Sequence, residues 1–418
     1  MSRSQQAILA NRDFLLVWSG QSVSIFGDTL FGLALMWWVA EVTGSGTAMS
    51  AVALATALPR IVLGPIVGVY VDRADRRKLM IVSNLLNTVI TAGMASLFWQ
   101  GIFSLQLILA SSLLMGTVST LHGPAFEASI PALVGEEELI RANSLMQSAN
   151  SAIGVVTPAV SGIILALAGV GASVMINSVT FAIAALSLVP VDIPSPAAGT
   201  GPRRSVFSDA GLGFKYVYSH RLLMPMLVFF AAINLTLAPL GVVLPILILK
   251  VLNAGPALLG LFGSFNSAGI LGASFLLSVV PNLAKRTGFV LVSAIVGIGL
   301  SAALVGFSPN SVLLLAGAAG LGSMSTVANI AAQSIWQREV PEELRGRVFA
   351  ARHAVSSGLR PVGLAAAGPL SDLLGAGRLM GGAGLLCASA GLIGFLIPGL
   401  SRYPASSARA SAPSAQTG

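Results

Sequence analysis

The sequence predicts an all-α integral membrane protein of twelve transmembrane helices, arranged as two pseudo-symmetric bundles of six. Three observations predict it. Only 9% of the 418 residues are charged, and the mean hydropathy is +0.86, far from the balance of a soluble chain of this length. Long apolar runs also recur from one end of the chain to the other, with short polar joins between them.

A spanning helix takes about 20 residues, within ~17–25, and each run meets that length. The first, 14–39, holds Trp18 and Asp28. The second, 47–71, stops at the charged knot GVYVDRADRRK, Gly68 to Lys78, beyond which the third covers 79–99. The fourth is 105–124. The fifth, 142–167, carries Pro158 and Gly162, and the sixth is 171–190. A polar stretch at 192–221 separates these from the seventh, 222–248, where Pro225, Pro239 and Pro245 predict a bend. The eighth (254–280), ninth (288–308) and tenth (311–332) follow. The eleventh, 348–372, contains Pro361 and Gly363, and the twelfth is 377–399. The Gly and Pro content argues against helices in water. In a membrane bundle, neighbouring helices satisfy the freed backbone groups, and small residues allow close approach.

Charge orients the bundle. With the amino terminus inside, twelve spans return the carboxyl terminus to the same face. Of 23 Lys and Arg, only Lys250 and Arg378 then lie outside, and Arg60 and Arg360 lie within spans. The rest collect inside, which is the positive-inside pattern of a cytoplasmic membrane. The formal charge of +8 follows from this bias. Dispersed basic loops without interleaved aromatics do not suit nucleic acid. The amino terminus has no cleavage pattern and reads as something other than a secretory signal. Cys387, the sole cysteine, excludes an intrachain disulfide and a cysteine-rich metal cluster. His122, His220 and His353 lie too far apart for ligand spacing.

An internal match marks two halves. Glu137, Glu138 and Leu139 pair with Glu342, Glu343 and Leu344 at an offset of 205 residues, and each copy precedes a helix with Pro and Gly at its middle. The expected division is therefore an amino-terminal bundle at 1–191, a cytoplasmic linker at 192–221, a carboxyl-terminal bundle at 222–400 and a disordered tail at 401–418. Two six-helix halves around a central site form a recurring transporter plan in which one half rocks against the other. No GxxxxGK loop accompanies it, so a secondary carrier without a cofactor is expected, with a proton gradient as the energy source. No HExxH, GxSxG or paired carboxylates mark an enzyme, and no repeated filter marks a channel.

The same residues carry a resemblance. GVYVDRADRRK, with Gly68, Asp72, Arg73, Arg76, Arg77 and Lys78, resembles the loop between helices two and three of the major facilitator superfamily. WSGQSVSIFGD (Trp18 to Asp28), TGSGTAMS (Thr43 to Ser50) and the stretch from Pro131 through LIRANSL resemble the branch of bacterial drug and siderophore exporters. The resemblance spans about residues 11–400. It implies a cytoplasmic gate at the knot, in which ion pairs form in one state and break in the other. The competing reading is a basic loop that sets topology, with Asp72 offsetting repulsion. In the second half Lys285 and Arg286 remain, without the acid. The family's antiporter-associated glycine–proline motif matches Gly154, Pro158 and Gly162, which, like Pro361 and Gly363, read as packing positions where the halves slide.

Candidate site residues come from the rarity of charge inside the spans. Asp28 lies about 21 Å from the cytoplasmic end of its helix and Arg60 about 16 Å from its own. An ionised group at such depth must face a cavity or a partner. Either Asp28 titrates during coupling, or it forms a permanent pair with Arg60. The 205-residue offset takes these two positions to Ile233 and Phe265, next to Asn234 and Asn266, which read as cavity contacts. Arg360 beside Pro361 could bind an anionic group, snorkel, or bond to freed carbonyls. His122 and Glu127 read as an end cap or a relay. Trp18, Trp37, Trp38, Trp99 and Trp336 read mainly as an interface belt, Trp37 and Trp38 also as a closing mouth. Few buried charges among Leu, Val, Ala and Gly suit an amphipathic substrate. The expectation is a monomeric exporter of drugs, macrolides or siderophores by proton antiport. A lysolipid carrier, an uncoupled facilitator and a non-transporting receptor or scaffold are its rivals.

Overall fold

In the computed structural model the residues described are 11–71, 74–135, 138–194, 214–279, 287–341, 344–397, 399–400 and 403, and every long element among them is helical. Helix α1 (Arg12–Thr43) starts where the Asn11 side chain accepts a hydrogen bond from the Phe14 N–H at 3.0 Å, and it ends at Gly44, whose φ of 56° only glycine takes without strain. Helix α2 (Gly46–Val71) follows after two residues, Gly44 and Ser45. The next pair, α3 (Arg76–Trp99) and α4 (Leu105–Val134), are capped by Asp75 and Ser104.

Helix α5 (Leu139–Leu188) has 50 residues. At ~1.5 Å per residue that is about 75 Å, over twice the ~30 Å hydrocarbon layer. It is broken at Gly169 (φ 78°, ψ −177°), so it has two limbs, each of spanning length. Helices α6 (Leu223–Leu237) and α7 (Leu240–Ile246) are parted at Ala238 and Pro239, and a wide π turn, Leu247–Val251, continues α7. The prolines thus interrupt the helix at Pro239, where a bend was expected. After α8 (Pro256–Val279), α9 (Thr287–Gly306) and α10 (Ser311–Glu339) come α11 (Arg345–Gly358) and α12 (Arg360–Leu374), then α13 (Ala376–Gly394). The expected eleventh helix is therefore two pieces, broken at Leu359, because Pro361 removes a backbone donor in the first turn of the second piece.

Ten helical stretches among the described residues are long and apolar enough to cross a membrane. Their outer faces are apolar as well: Leu167, Phe275, Leu373 and Leu396 stand mostly exposed, which suits lipid and not water. The chain is an all-α, multi-pass membrane protein. Its contacts repeat with a pseudo-twofold pattern. In the first part α2 packs on α4 and α3 on the second limb of α5; in the second part α8 packs on α10 and α9 on α13. Glycines set these distances. A Cβ added to Gly299 would fall 2.6 Å from the Ala388 Cα, and one added to Gly384 would fall 2.6 Å from the Gly299 carbonyl oxygen.

Candidate functional site

Two extensive contacts join the parts, and both lie towards the end remote from the basic knot. In one, the first limb of α5 meets α8: a Cβ on Gly162 would sit 2.9 Å from the Gly260 Cα, and one on Gly263 would sit 2.6 Å from the Pro158 Cβ. Below it the Ser264 and Ser267 hydroxyls donate to the carbonyls of Val155 (2.9 Å) and Gly154 (2.6 Å). In the other, α2 meets α12, where a Cβ on Gly46 would lie 2.8 Å from the Gly368 carbonyl oxygen. Gly154, Pro158 and Gly162 thus stand in the contact between the parts. Pro361 opens α12, and Gly363 packs on Ala238 and Leu235 of its own part.

The second contact is locked by a residue that the sequence reading passed over. Asp372, in the last turn of α12, accepts from the Ser45 Oγ (2.8 Å), the Gly46 N–H (2.6 Å), the Thr47 N–H (3.0 Å) and the Thr47 Oγ1 (2.7 Å). A carboxylate of one part therefore caps the first turn of α2 in the other, where the helix dipole favours negative charge. Beside it Lys250 Nζ donates to the Gly44 carbonyl at 2.8 Å, at the carboxyl end of α1. Each charge meets the helix end of opposite partial sign. The hydroxyl-rich Thr43–Thr47 turn was the available sequence signal; its partner, 325 residues away, had none.

Towards the basic end lies a cavity of about 850 Å³ between the first limb of α5 and α8, lined by Asn143, Ser144, Gln147, Ser148, Ser151, Ala152 and Leu271. Most of its lining comes from one face of α5 at steps of three and four residues, and is neutral and polar.

Of the knot, Asp72 and Arg73 lie outside the described residues, and Gly68 belongs to the last turn of α2. Arg76 Nη1 donates to the Ala128 carbonyl of α4 at 2.8 Å. Arg77 Nε donates to the Leu188 carbonyl at 3.1 Å, and its Nη2 to Val189. Both arginines thus bond backbone carbonyls within the first part, Arg77 at the carboxyl end of α5. Asp75 accepts from the Lys78 N–H at 3.0 Å, and that bond holds its carboxyl below the usual carboxylate range. Lys78 points to solvent, 3.3 Å from Asp75.

Asp28 occupies the middle of α1. Its neighbour Gly27 presses that helix against the second limb of α5, since a Cβ there would strike the side chains of Asn177 and Thr180. The Asp28 carboxylate therefore lies beside the Asn177 carboxamide. Asn177 is wholly buried; its Oδ1 takes the Thr180 hydroxyl at 3.1 Å, while its Nδ2 has no acceptor within hydrogen-bond distance. A buried polar seam continues to α3 through Asn84, Asn87 and Thr91, with Ser178 Oγ donating to the Thr88 carbonyl at 2.9 Å. Arg60 stands exposed on α2, and the structure forms no ion pair between it and Asp28.

The remaining candidates scatter. Asn234 Nδ2 bonds to the Phe230 carbonyl of its own helix (2.8 Å), and Asn266 Nδ2 to the Ala318 carbonyl of α10 (3.1 Å). Arg360 is exposed at the α11–α12 break, and Glu127 is exposed on α4. His122 stacks on Phe126. Trp38 meets Phe98 and Phe103 edge-on at 5.5 and 5.6 Å within the first part. Trp336, expected in an interface belt, is instead fully buried beneath Arg352. No group of His, Cys, Asp and Glu that could hold a metal occurs among the described residues.

Comparison with known proteins agrees with this architecture. The family profile described as Major Facilitator Superfamily matches residues 17–364. Macrolide efflux protein A of Streptococcus pyogenes is 24% identical over 379 residues, 90% of this chain and 93% of that protein. The multidrug efflux pump Tap of Mycobacterium tuberculosis is 24% identical over 396 residues, 90% of each chain. Among solved structures, a bacterial homologue of the iron transporter ferroportin in an inward-facing state superposes with a TM-score of 0.69 at 17% identity, covering 93% of this chain and 99% of that one. The nucleoside transporter NupG gives 0.70 at 14%, covering 91% and 100%. At these identities the superpositions speak for the fold alone.

Proposed function

The chain belongs to the Major Facilitator Superfamily, and from that premise we propose that it exports amphipathic compounds by proton antiport and alternating access. It is a secondary transporter of small molecules and not an enzyme. The twelve spans of the proposal are α1–α4, the two limbs of α5, α6 with α7, α8, α9, α10, α11 with α12, and α13. They form a first bundle through residue 191 and a second from 222, around the linker at 192–221. The basic end faces the cytoplasm by the distribution of Lys and Arg, both termini lie there, and the carrier acts as a monomer in a bacterial inner membrane.

The observation that carries the reading is one-ended closure. Glycine contacts and the Asp372 cap join the parts towards one end, and a cavity lies between them towards the other. Such an arrangement is an inward-open state of a rocking carrier. Its neutral polar lining and apolar surroundings favour amphipathic drugs, macrolides or siderophores, and the two efflux relatives support the outward direction. For coupling, the absence of an Asp28–Arg60 pair supports Asp28 as the titrating group: it has Asn177 for a neighbour and no fixed cation to hold it ionised. At the knot, Arg76 and Arg77 are occupied by backbone carbonyls of the first bundle, so the gating role falls to Asp72 and Arg73.

The test is substrate-driven proton movement in proteoliposomes holding a pH-sensitive dye, with a panel of amphipathic cations, macrolides and siderophores, for wild type and Asp28→Asn. Movement seen in wild type and lost in the variant is the expected result. Substrate flux without protons in wild type would make the chain a facilitator, and no saturable flux would turn the reading towards a receptor or scaffold.

A further inference from the structure

We propose that Arg352 anchors a subsite for an oxyanion, the carboxylate or phosphate group of a transported amphiphile. The proposal deepens the export reading and rests on it.

Arg352 projects from α11 at the basic end. Its guanidinium lies over the Trp336 ring at 5.3 Å and near the Phe230 ring at 5.8 Å, and Nη1 donates to the Gln333 Oε1 at 2.8 Å. Three helices thereby fix the plane of the cation. Gln333 is its one hydrogen-bonding protein partner among the described residues, so the other N–H groups are left for a ligand or water. The cavity it faces, about 490 Å³, is lined by Asn329, Ile330, Gln333, Ser334 and Gln337. That lining contains amide and hydroxyl groups but no acid. Glu339, the carboxylate at the end of α10, is committed elsewhere: it lies 3.3 Å from His220 Nε2 and takes the Tyr403 hydroxyl.

A half-buried cation without a counter-charge is costly. Stacking on aromatic faces offsets part of that cost, and a bound oxyanion would offset more. A planar, pre-set guanidinium also matches a carboxylate or phosphate in two-pronged fashion. The pseudo-symmetry sharpens the point. The 205-residue offset takes Arg352 to Gln147, which lines the neutral cavity of the first part. The two cavities share amide and hydroxyl linings, and the second alone carries charge.

The experiment uses the full chain in phosphatidylcholine nanodiscs, without a gradient, titrated by calorimetry with decyl phosphate, decanoate, inorganic phosphate and decyltrimethylammonium. Saturable binding of the two alkyl anions is expected, weakened about tenfold in Arg352→Gln, with the ammonium unaffected. Arg352→Lys, which keeps charge but loses the fork, should fall between. Phosphatidylglycerol nanodiscs identify the source: weaker decyl phosphate binding there means that a lipid phosphate competes for the same subsite, and unchanged binding assigns it to the free amphiphile. Equal anion affinity in wild type and Arg352→Gln, both folded, would overturn the proposal. Should Arg352→Gln not fold, the double variant Asn329→Leu and Gln337→Leu should weaken decyl phosphate several-fold, and no change there would overturn it equally. Because no gradient is imposed, failure of proton coupling in liposomes would leave this binding result untouched.

Discussion

Replacing Asp372 by Ala should release the end of the molecule opposite the basic loops. The carboxylate takes four hydrogen bonds from Ser45, Gly46 and Thr47, at 2.6–3.0 Å. Bonds to a charged group are worth about 1.5–3 kcal/mol each when buried. This site is exposed, however, and losing a helix cap costs ~0.5–2 kcal/mol. We therefore take about 2 kcal/mol for the whole set, discounted for solvent. The bonds join the two parts only while they touch, so the loss falls on the closed state, and the ratio of open to closed should rise about thirtyfold. Spin labels at Ile102 and Val312, exposed positions at that end of the first and second parts, would read it as a longer distance population. Cys387 is buried and leaves the introduced cysteines to take the label. An unchanged distance distribution in a folded Asp372→Ala protein would refute the reasoning.

Other expectations follow from local geometry. Gly162→Val would drive a side chain into the Gly260 Cα, already 2.9 Å from an added Cβ; overpacking of about 1–3 kcal/mol should hold the α5–α8 contact apart and stop transport at normal expression. Gly169→Ala has open space for its methyl, yet φ 78° and ψ −177° suit glycine alone, so a thermal melt should show a loss of about 1–3 kcal/mol. Asp75→Ala should remove the α3 cap at about 1 kcal/mol or less, given its exposure. Because the folded carboxyl titrates below its ordinary value, the cap's contribution is complete above about pH 5 and is lost as pH falls below about 4. A wild-type melting curve equally sensitive between pH 5 and 7 would contradict this.

Much of the architecture was legible because lipid imposes a strict code: an apolar run of fixed length, few charges, basic loops on one side. The breaks were partly legible. Pro239 announced its break through a missing N–H, and the gap between the fifth and sixth runs, 167 to 171, held Gly169; the eleventh run was read as one helix although Pro361 lacks the same donor. Site residues were legible where chemistry alone marks them, as with Asp28, an acid in the middle of a span. Its partner was not. Depth along a helix brought Arg60 level with it, but rotation about the axis decides contact, and Gly27 turns that face towards Asn177. Asp372 and Arg352 escaped for a related reason. One stood at a helix end and one in a basic run, RGRVFAARH, where charge reads as topology; only tertiary contacts showed the first capping a distant helix and the second laid on Trp336.

The reversal at Gly169 has a mechanical consequence. One limb of α5 presses on α8 through Gly162, and the other carries Asn177 and Thr180 against Gly27 of α1. A single residue, Gly169, joins them. Were the two limbs to move together, prying the first away from α8 would tug the second beneath Asp28, and the acid would sense the seal opening through the backbone itself.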